Sequence, residues 1–442
     1  MTVCLEKTLS ASRALQITAK KAIESLRNSG QPPKLGASAL NVGTDHLIDD
    51  LRQKHLDDHC VSVEGEDGGG TCKWIEADHG GGKTQFLRCI QEIAWQRNFV
   101  VAYVELSPDE SPLDRPDRVF SAVARALQAQ PNGPADVDRT RGLNHVLEQL
   151  LDRKFQGVLS GLPDEGLRAK ALDWVQQSFS ATTVDCPYVV TAATVFLSAK
   201  LEGELEREEI AKLYLRGETI PQTELKKIGV FEKLDRSSAF RLLRSVTQML
   251  QRSELAAGTV LLFDEARRNL SLMSTKSQKQ ACENLLSVIN HCNSGNFPGT
   301  MFLYAVMPEF FTNFVTAYPA LQQRCGQATR INLNAIQGMK ELHLLRQIAQ
   351  KVLEIYCEAY SWTPSGDAPI NAQLDQIAIA SLREAQGSGA RRLLVKTTVQ
   401  ILDQFRDRGV FVVSEADATA LANGAVEELK AMETATVDAQ GE

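Results

Sequence analysis

The chain has 442 residues, 43% hydrophobic and 23% charged, the balance of ordinary globular material with enough length for two or three cores. A net charge of −7, from 48 basic and 55 acidic side chains, excludes a surface that attracts nucleic acid as a whole but leaves room for a local basic face. The longest apolar run, Tyr188 to Ala199, is broken by threonines and is too short to cross a bilayer, and Met1 to Lys21 carries no signal pattern, so a cytoplasmic location is expected.

Ala11 to Ser29 has the apolar spacing of an amphipathic helix, and after the Gly30–Pro33 break a second helix is predicted over Thr44 to Asp57. Cys72 to Ala77 reads as a short strand running into glycines, followed by a helix over Lys83 to Asn98 and a buried strand over Phe99 to Leu106. Strand, glycine loop, helix and strand in this order are the βαβ rhythm of a parallel sheet. The next strong strand is Gly258 to Glu265, then a helix at 274–291, a strand at Thr300 to Val306, a helix from Glu309 to Cys325 and a strand at Arg330 to Leu333.

The expected organisation is an N-terminal helical segment at 1–60, the first half of an α/β core at 61–130 and a helical insertion at 131–235. The second half of the core follows at 236–337, then a helical lid or winged-helix-like domain at 338–431 and a disordered polar tail at 432–442. Nine cysteines without a CxxC spacing read as reduced thiols. His55, His59 and Cys60 could face one another on a helix, but no second ligand pair is near them, and ordinary helix packing is the stronger reading than a zinc site.

The chemistry concentrates at Ala77-Asp78-His79-Gly80-Gly81-Gly82-Lys83-Thr84, a P-loop pattern with Ala77 in place of the first glycine. Glycines let backbone N–H groups converge on phosphate oxygens, and the helix that follows adds its positive end. Lys83 is placed to reach the β- and γ-phosphates of ATP, and the Thr84 hydroxyl to ligate Mg²⁺. The second half of the pattern is Thr259 to Glu265, an apolar strand ending in two carboxylates. Asp264 is expected to hold the Mg²⁺ water shell and Glu265 to act as general base on the attacking water. Together the two motifs predict an ATP-binding P-loop protein of AAA+ type.

The run Trp74 to Arg88, Val101 to Pro108, Ala22 to Arg27 with Gly30 to Val42, Leu215 to Glu218 and Phe302 to Phe311 resembles the ATP-binding proteins typified by BrxD of bacterial BREX anti-phage systems, over nearly the whole chain. The resemblance implies a replication-initiator-like AAA+ ATPase that acts on DNA or loads a helicase-like partner onto it. Gly387 to Leu394 is similar to the family's Gly-x-x-Pro-Arg lid motif, with Ala390 where proline is common, which makes Arg391 the candidate for sensing the γ-phosphate. Arg324 stands where the family carries an arginine that bridges subunits, and in a homo-oligomer it would act in trans. Met307, where relatives present a polar side chain to the attacking water, implies slow hydrolysis or use of ATP as a clamp.

Two basic clusters are candidates for non-specific DNA contact. One comprises Lys226, Lys227, Lys233, Arg236, Arg241, Arg244 and Arg252, the other Arg391, Arg392, Lys396, Arg406 and Arg408; a solvated helix face is the competing reading of each. An ATP-dependent regulatory switch with little turnover is the alternative to an ATPase, and a STAND-like signalling NTPase ranks below both.

Overall fold

The computed structural model describes residues 2–159, 165–264, 274–334, 341–364, 370–385, 389–409 and 413–438. It divides into two compact units, one of Met1–Ile48, Glu76–Glu92 and Asn332–Glu442, the other of Asp49–Ile75 and Ile93–Ile331.

The second unit is built on a six-stranded sheet. Its strands are β1 (Gly70–Glu76), β2 (Phe99–Glu105), β3 (Leu127–Gln128), β4 (Gly258–Asp264), β5 (Thr300–Val306) and β6 (Arg330–Asn332), in the order β3-β2-β4-β5-β1-β6. The β2–β4 and β4–β5 pairs are parallel, with Glu105 opposite Asp264 and Phe263 opposite Tyr304. Every residue of β4 and β5 is buried, which is why these segments read as unbroken apolar runs rather than alternating ones. Aromatic side chains lock adjacent strands. Phe263 stacks on Tyr304 at 4.7 Å between ring centres, and Tyr304 stacks on Trp74 at 5.1 Å.

Two helices precede and follow the first strands, α2 (Asp45–Leu51) and α3 (Lys83–Gln96), the former continuing as a wider π-type turn over Arg52–His59. The helix predicted over Thr44 to Asp57 is therefore wound in two ways. His55 and His59 meet edge to face on that turn, and no cluster of three metal-ligating side chains occurs among the described residues. Between β2 and β4 lie α4 (Pro116–Ala126), α5 (Leu143–Lys154), α6 (Glu165–Ser180), α7 (Pro187–Glu202), α8 (Leu205–Leu215), α9 (Gln222–Lys227) and α10 (Ala239–Arg252). The apolar α7 is the hub, packing against α5, α6, α8 and α10, so that Ala192, Ala193, Phe196 and Leu197 are fully buried. After β4 come α11 (Thr275–Asn293) and α12 (Pro319–Arg324).

The single helix expected from Glu309 to Cys325 is two pieces, a π-type turn over Phe310–Val315 and then α12. Pro319 is the reason. It has no N–H to continue the ladder and keeps Tyr318 out of the helical region (φ −130°, ψ 88°), so it starts a helix instead of continuing one.

In the first unit, α1 (Thr2–Ser29) packs with α13 (Glu341–Tyr360) and α15 (Ala390–Arg408), while α14 (Ile370–Glu384) and α16 (Glu415–Asp438) complete the layer. Ile23, Leu26, Leu345, Tyr356, Leu394 and Leu402 form its core. A polar clamp reinforces it: Arg27 donates to both carboxylate oxygens of Asp403 at 2.8 and 2.9 Å and to the Tyr360 hydroxyl at 2.9 Å, and Tyr356 donates to Asp403 at 2.7 Å. Every element described between Glu341 and Asp438 is a helix. Helix α16 runs on to Asp438, into the polar segment that the sequence suggests as a disordered tail from residue 432.

Candidate nucleotide-binding site

The glycine loop joins the end of β1 to the start of α3, the strand–loop–helix setting that its sequence requires. Gly80 and Gly82 have φ of 72° and 90°, in the left-handed region that residues with a Cβ adopt at a cost. Space is equally decisive. A Cβ on Gly80 would lie 2.8 Å from the Gly389 backbone, one on Gly81 2.8 Å from the Ala77 Cβ, and one on Gly82 2.8 Å from the Arg391 guanidinium. Ala77 is buried and has no positive φ, so the residue that departs from the pattern sits without backbone strain, and the missing side chain of Gly81 makes room for its methyl.

Lys83 and Thr84 open α3. The Lys83 ammonium donates to the carbonyls of Ala77 and Asp78, each at 2.8 Å, and the Gly81 N–H donates to the Asp78 carbonyl at 3.0 Å. Asp78 and His79 are exposed at the outer edge of the loop. Asn334 holds the first of these, accepting from the Asp78 N–H at 3.3 Å and donating to its carboxylate at 2.9 Å. Further along α3, the buried Glu92 accepts the Ala37 and Ser38 N–H groups at 2.8 and 2.9 Å, and Gln85 donates to the Ala37 carbonyl at 2.6 Å. The helix that carries Lys83 and Thr84 thus also anchors the 3₁₀ turn Ala37–Leu40, a role that α3 does not advertise in sequence.

Arg391 lies in the first turn of α15 and donates from Nη1 to the Gly81 carbonyl at 2.6 Å. The lid arginine chosen from sequence is therefore bonded to the glycine loop. Burial lowers its pKa from the ordinary value, with Glu341 opposing that shift. Ala390 is the first helical residue, where an N–H has no intrahelical partner, so alanine serves there as well as the proline of the motif. Gly387 and Ser388, the start of that motif, lie outside the described residues.

Asp264 belongs to the second unit. It ends β4, is only 3% exposed, and accepts a hydrogen bond from the Tyr103 hydroxyl on β2 at 2.6 Å. Tyr103 was not among the residues that the motifs single out. Its only sequence signal is a polar-tipped aromatic two positions before the end of a strand, and its meaning depends on which strand pairs with which. Glu265, the expected general base, lies outside the described residues. Met307 follows β5 and is partly exposed, and Arg324 is exposed at the C-terminal end of α12.

The two basic clusters are largely engaged within the chain. Lys227 pairs with Glu206 and Glu224, Arg241 with Glu232, Arg244 with Asp185 and Arg252 with Asp67. In the other cluster Arg391 and Arg392 bond backbone carbonyls, Lys396 pairs with Glu428, and Arg406 lies over the Tyr360 ring at 4.1 Å. Lys226, Lys233 and Arg236 of the first cluster and Arg408 of the second are exposed.

A glycine loop from β1 into a helix, with the Asp-ending strand β4 separated from β1 by β5, defines an AAA+-type P-loop core. The chain belongs to the BREX system ATP-binding protein BrxC/D family, whose model matches residues 16–416. It is similar in structure to the Aeropyrum pernix ORC2 protein solved as ADPNP-ADP complexes, at 12% identity and a TM-score of 0.41, over 86% of this chain and 67% of that one. No curated protein matches the chain. Among the described residues no helix is long and apolar enough to cross a membrane.

Proposed function

We propose that this chain binds ATP with Mg²⁺, turns it over slowly, and uses it as a conformational clamp in a cytoplasmic BREX defence against phage. The observation that carries the reading is the glycine loop itself: adjacent positions where a Cβ would collide, followed at once by Lys83 and Thr84, with Arg391 bonded to the loop. In this reading the N–H groups of 78–84 bind phosphate oxygens and Lys83 exchanges its loop carbonyls for the β- and γ-phosphates. Arg391 takes the γ-phosphate and relays its loss to α15. The Thr84 hydroxyl and the Asp264 carboxylate are hard oxygen donors of the kind Mg²⁺ prefers, and the Tyr103 bond orients the second of them. When bound, the ion supplies charge neutralisation on the phosphates. Glu265 is the proposed base and Arg324 the proposed finger in a neighbouring copy. Met307 offers no hydrogen bond to the attacking water, which favours the slow version.

A steady-state ATPase assay with and without DNA, on the natural chain and on Glu265→Gln, tests this. Tight binding with low turnover that the substitution abolishes is the expected result; no measurable ATP binding overturns the proposal. Mass photometry with ATP tests the Arg324 role, since a persistent monomer leaves a trans arginine with nothing to act on.

A second reading, action on DNA or loading of a helicase-like partner, rests on Lys226, Lys233 and Arg236, which are exposed around the α9–α10 connection. DNA-stimulated turnover lost in the triple alanine variant would move this reading to first place.

A further inference from the structure

Arg391 and Arg392 are neighbours at the start of α15, so their side chains leave the helix about 100° apart. Arg391 goes to the glycine loop. Arg392 goes the other way and donates from Nε to the Ser29 carbonyl at 2.8 Å. One turn later Lys396, 1% exposed, donates to the Asn28 carbonyl at 3.4 Å and pairs with Glu428 at 2.7 Å. Asn28 and Ser29 end α1, so their carbonyls belong to the last turn, which has no intrahelical donors and carries the negative end of the helix dipole. Two cations one turn apart on α15 thus cap α1.

The fit is tight at backbone level. Gly30 closes α1 with φ of 63°, its N–H donating to the Leu26 carbonyl at 3.0 Å, and a Cβ there would lie 2.8 Å from both the Cγ and the carbonyl oxygen of Arg392. On the opposite side, a Cβ on Gly80 would lie 2.8 Å from Gly389, the residue before α15. The first turn of α15 is therefore held between the end of α1 and the glycine loop, and the Arg27–Asp403 clamp holds α1 against the middle of the same helix.

We propose that Arg392 is a positioning residue for the nucleotide site, seating the first turn of α15 on the C-terminal carbonyls of α1 so that Arg391 reaches the glycine loop. Preference for a nucleoside triphosphate over the diphosphate then depends on α1, a helix far in sequence from the phosphate-binding motif. The inference rests on the ATP reading above.

The test measures dissociation constants of the full chain for a non-hydrolysable ATP analogue and for ADP, on the natural protein, Arg391→Ala, Arg392→Ala and the double variant, with hydrogen exchange of residues 78–84 alongside. Arg392→Ala should weaken the triphosphate analogue at least about 5-fold and ADP by less than about 2-fold. It should add nothing once Arg391 is alanine, because it acts through that residue. Exchange at 78–84 should quicken, and Arg392→Lys, which keeps a donor for Ser29, should restore both readouts. Equal weakening of both nucleotides, or additivity with Arg391→Ala, overturns the proposal. If the natural chain binds neither nucleotide, the ATP reading fails, and unchanged exchange at 78–84 in Arg392→Ala then sinks the seating separately.

Discussion

The Tyr103 hydroxyl on β2 donates to Oδ2 of Asp264 at 2.6 Å, joining the ends of two parallel strands through side chains as well as backbone. The acceptor is buried, so the bond does two things: it satisfies an oxygen that water reaches poorly, and it fixes the plane of the carboxylate. Tyr103→Phe should cost about 1.5–3 kcal/mol in urea unfolding, the usual range for a hydrogen bond to a charged group. It should also raise several-fold the Mg²⁺ concentration that supports binding of an ATP analogue. Unchanged stability and Mg²⁺ dependence would remove Tyr103 from the site.

The glycine loop makes a compensation prediction. In Gly81→Ala the new methyl meets the Ala77 methyl at 2.8 Å, and the clash should weaken ATP binding by about tenfold, equivalent to roughly 1–2 kcal/mol. Adding Ala77→Gly removes the opposing methyl and should recover part of the loss, the Asp78 carbonyl oxygen at 3.0 Å remaining in the way. The same second substitution should do nothing for Gly80→Ala or Gly82→Ala, whose positive φ is strained whatever Ala77 is. Calorimetric titration of the three single variants and their three double variants with Ala77→Gly reads the difference directly, and failure of Ala77→Gly to rescue Gly81→Ala would show that the contact does not limit the loop.

Glu92 offers a test of what holds the 3₁₀ turn Ala37–Leu40 in place. Glu92→Ala leaves the Ala37 and Ser38 N–H groups without their acceptor and should cost about 2–4 kcal/mol, whereas Glu92→Gln keeps one acceptor oxygen and should cost about half as much. Thermal unfolding orders the three proteins; a glutamine variant as unstable as the alanine one would contradict the hydrogen-bond account.

His55 gives the fold a pH dependence. Burial first, then the charges of Lys73 and His59, lower its pKa to about 4, and its Nδ1 is buried without a partner. The unfolded chain takes up this proton near pH 6.5 and the folded chain only near 4, so stability should fall as pH drops through that window and level off below it. With solvent screening of a half-buried ring, the loss is on the order of 1–2 kcal/mol. Urea midpoints at pH 7 and pH 5 should converge in His55→Gln. An equal pH dependence in that variant would assign the effect elsewhere.

Much of this was legible in the sequence because it is local. The strand at Thr300–Val306 has its predicted bounds, and β4 and β5 show themselves as apolar runs because burial on both faces demands apolar side chains at every position. The P-loop is equally legible, since a left-handed backbone packed against its surroundings leaves glycine as the residue for Gly80 and Gly82. Where local signals compete, reading fails: the two-residue β3 has no pattern to find, and Pro319 divides a segment whose apolar spacing suggests one helix.

The sequence by itself therefore determined the class of the core and the residues of the loop, through the steric and hydrogen-bonding demands that each position makes on its own backbone. Tertiary structure alone decided which distant groups meet them. That Tyr103 serves Asp264 depends on strand register, and that the Arg391 guanidinium lies on Gly81 depends on how α15 is seated. The basic clusters show the same limit. Lys227, Arg241, Arg244 and Arg252 look like a surface for phosphates until Glu206, Glu224, Glu232, Asp185 and Asp67 fold against them, because a charge in sequence has no sign of its partner until the chain brings that partner within a few ångströms.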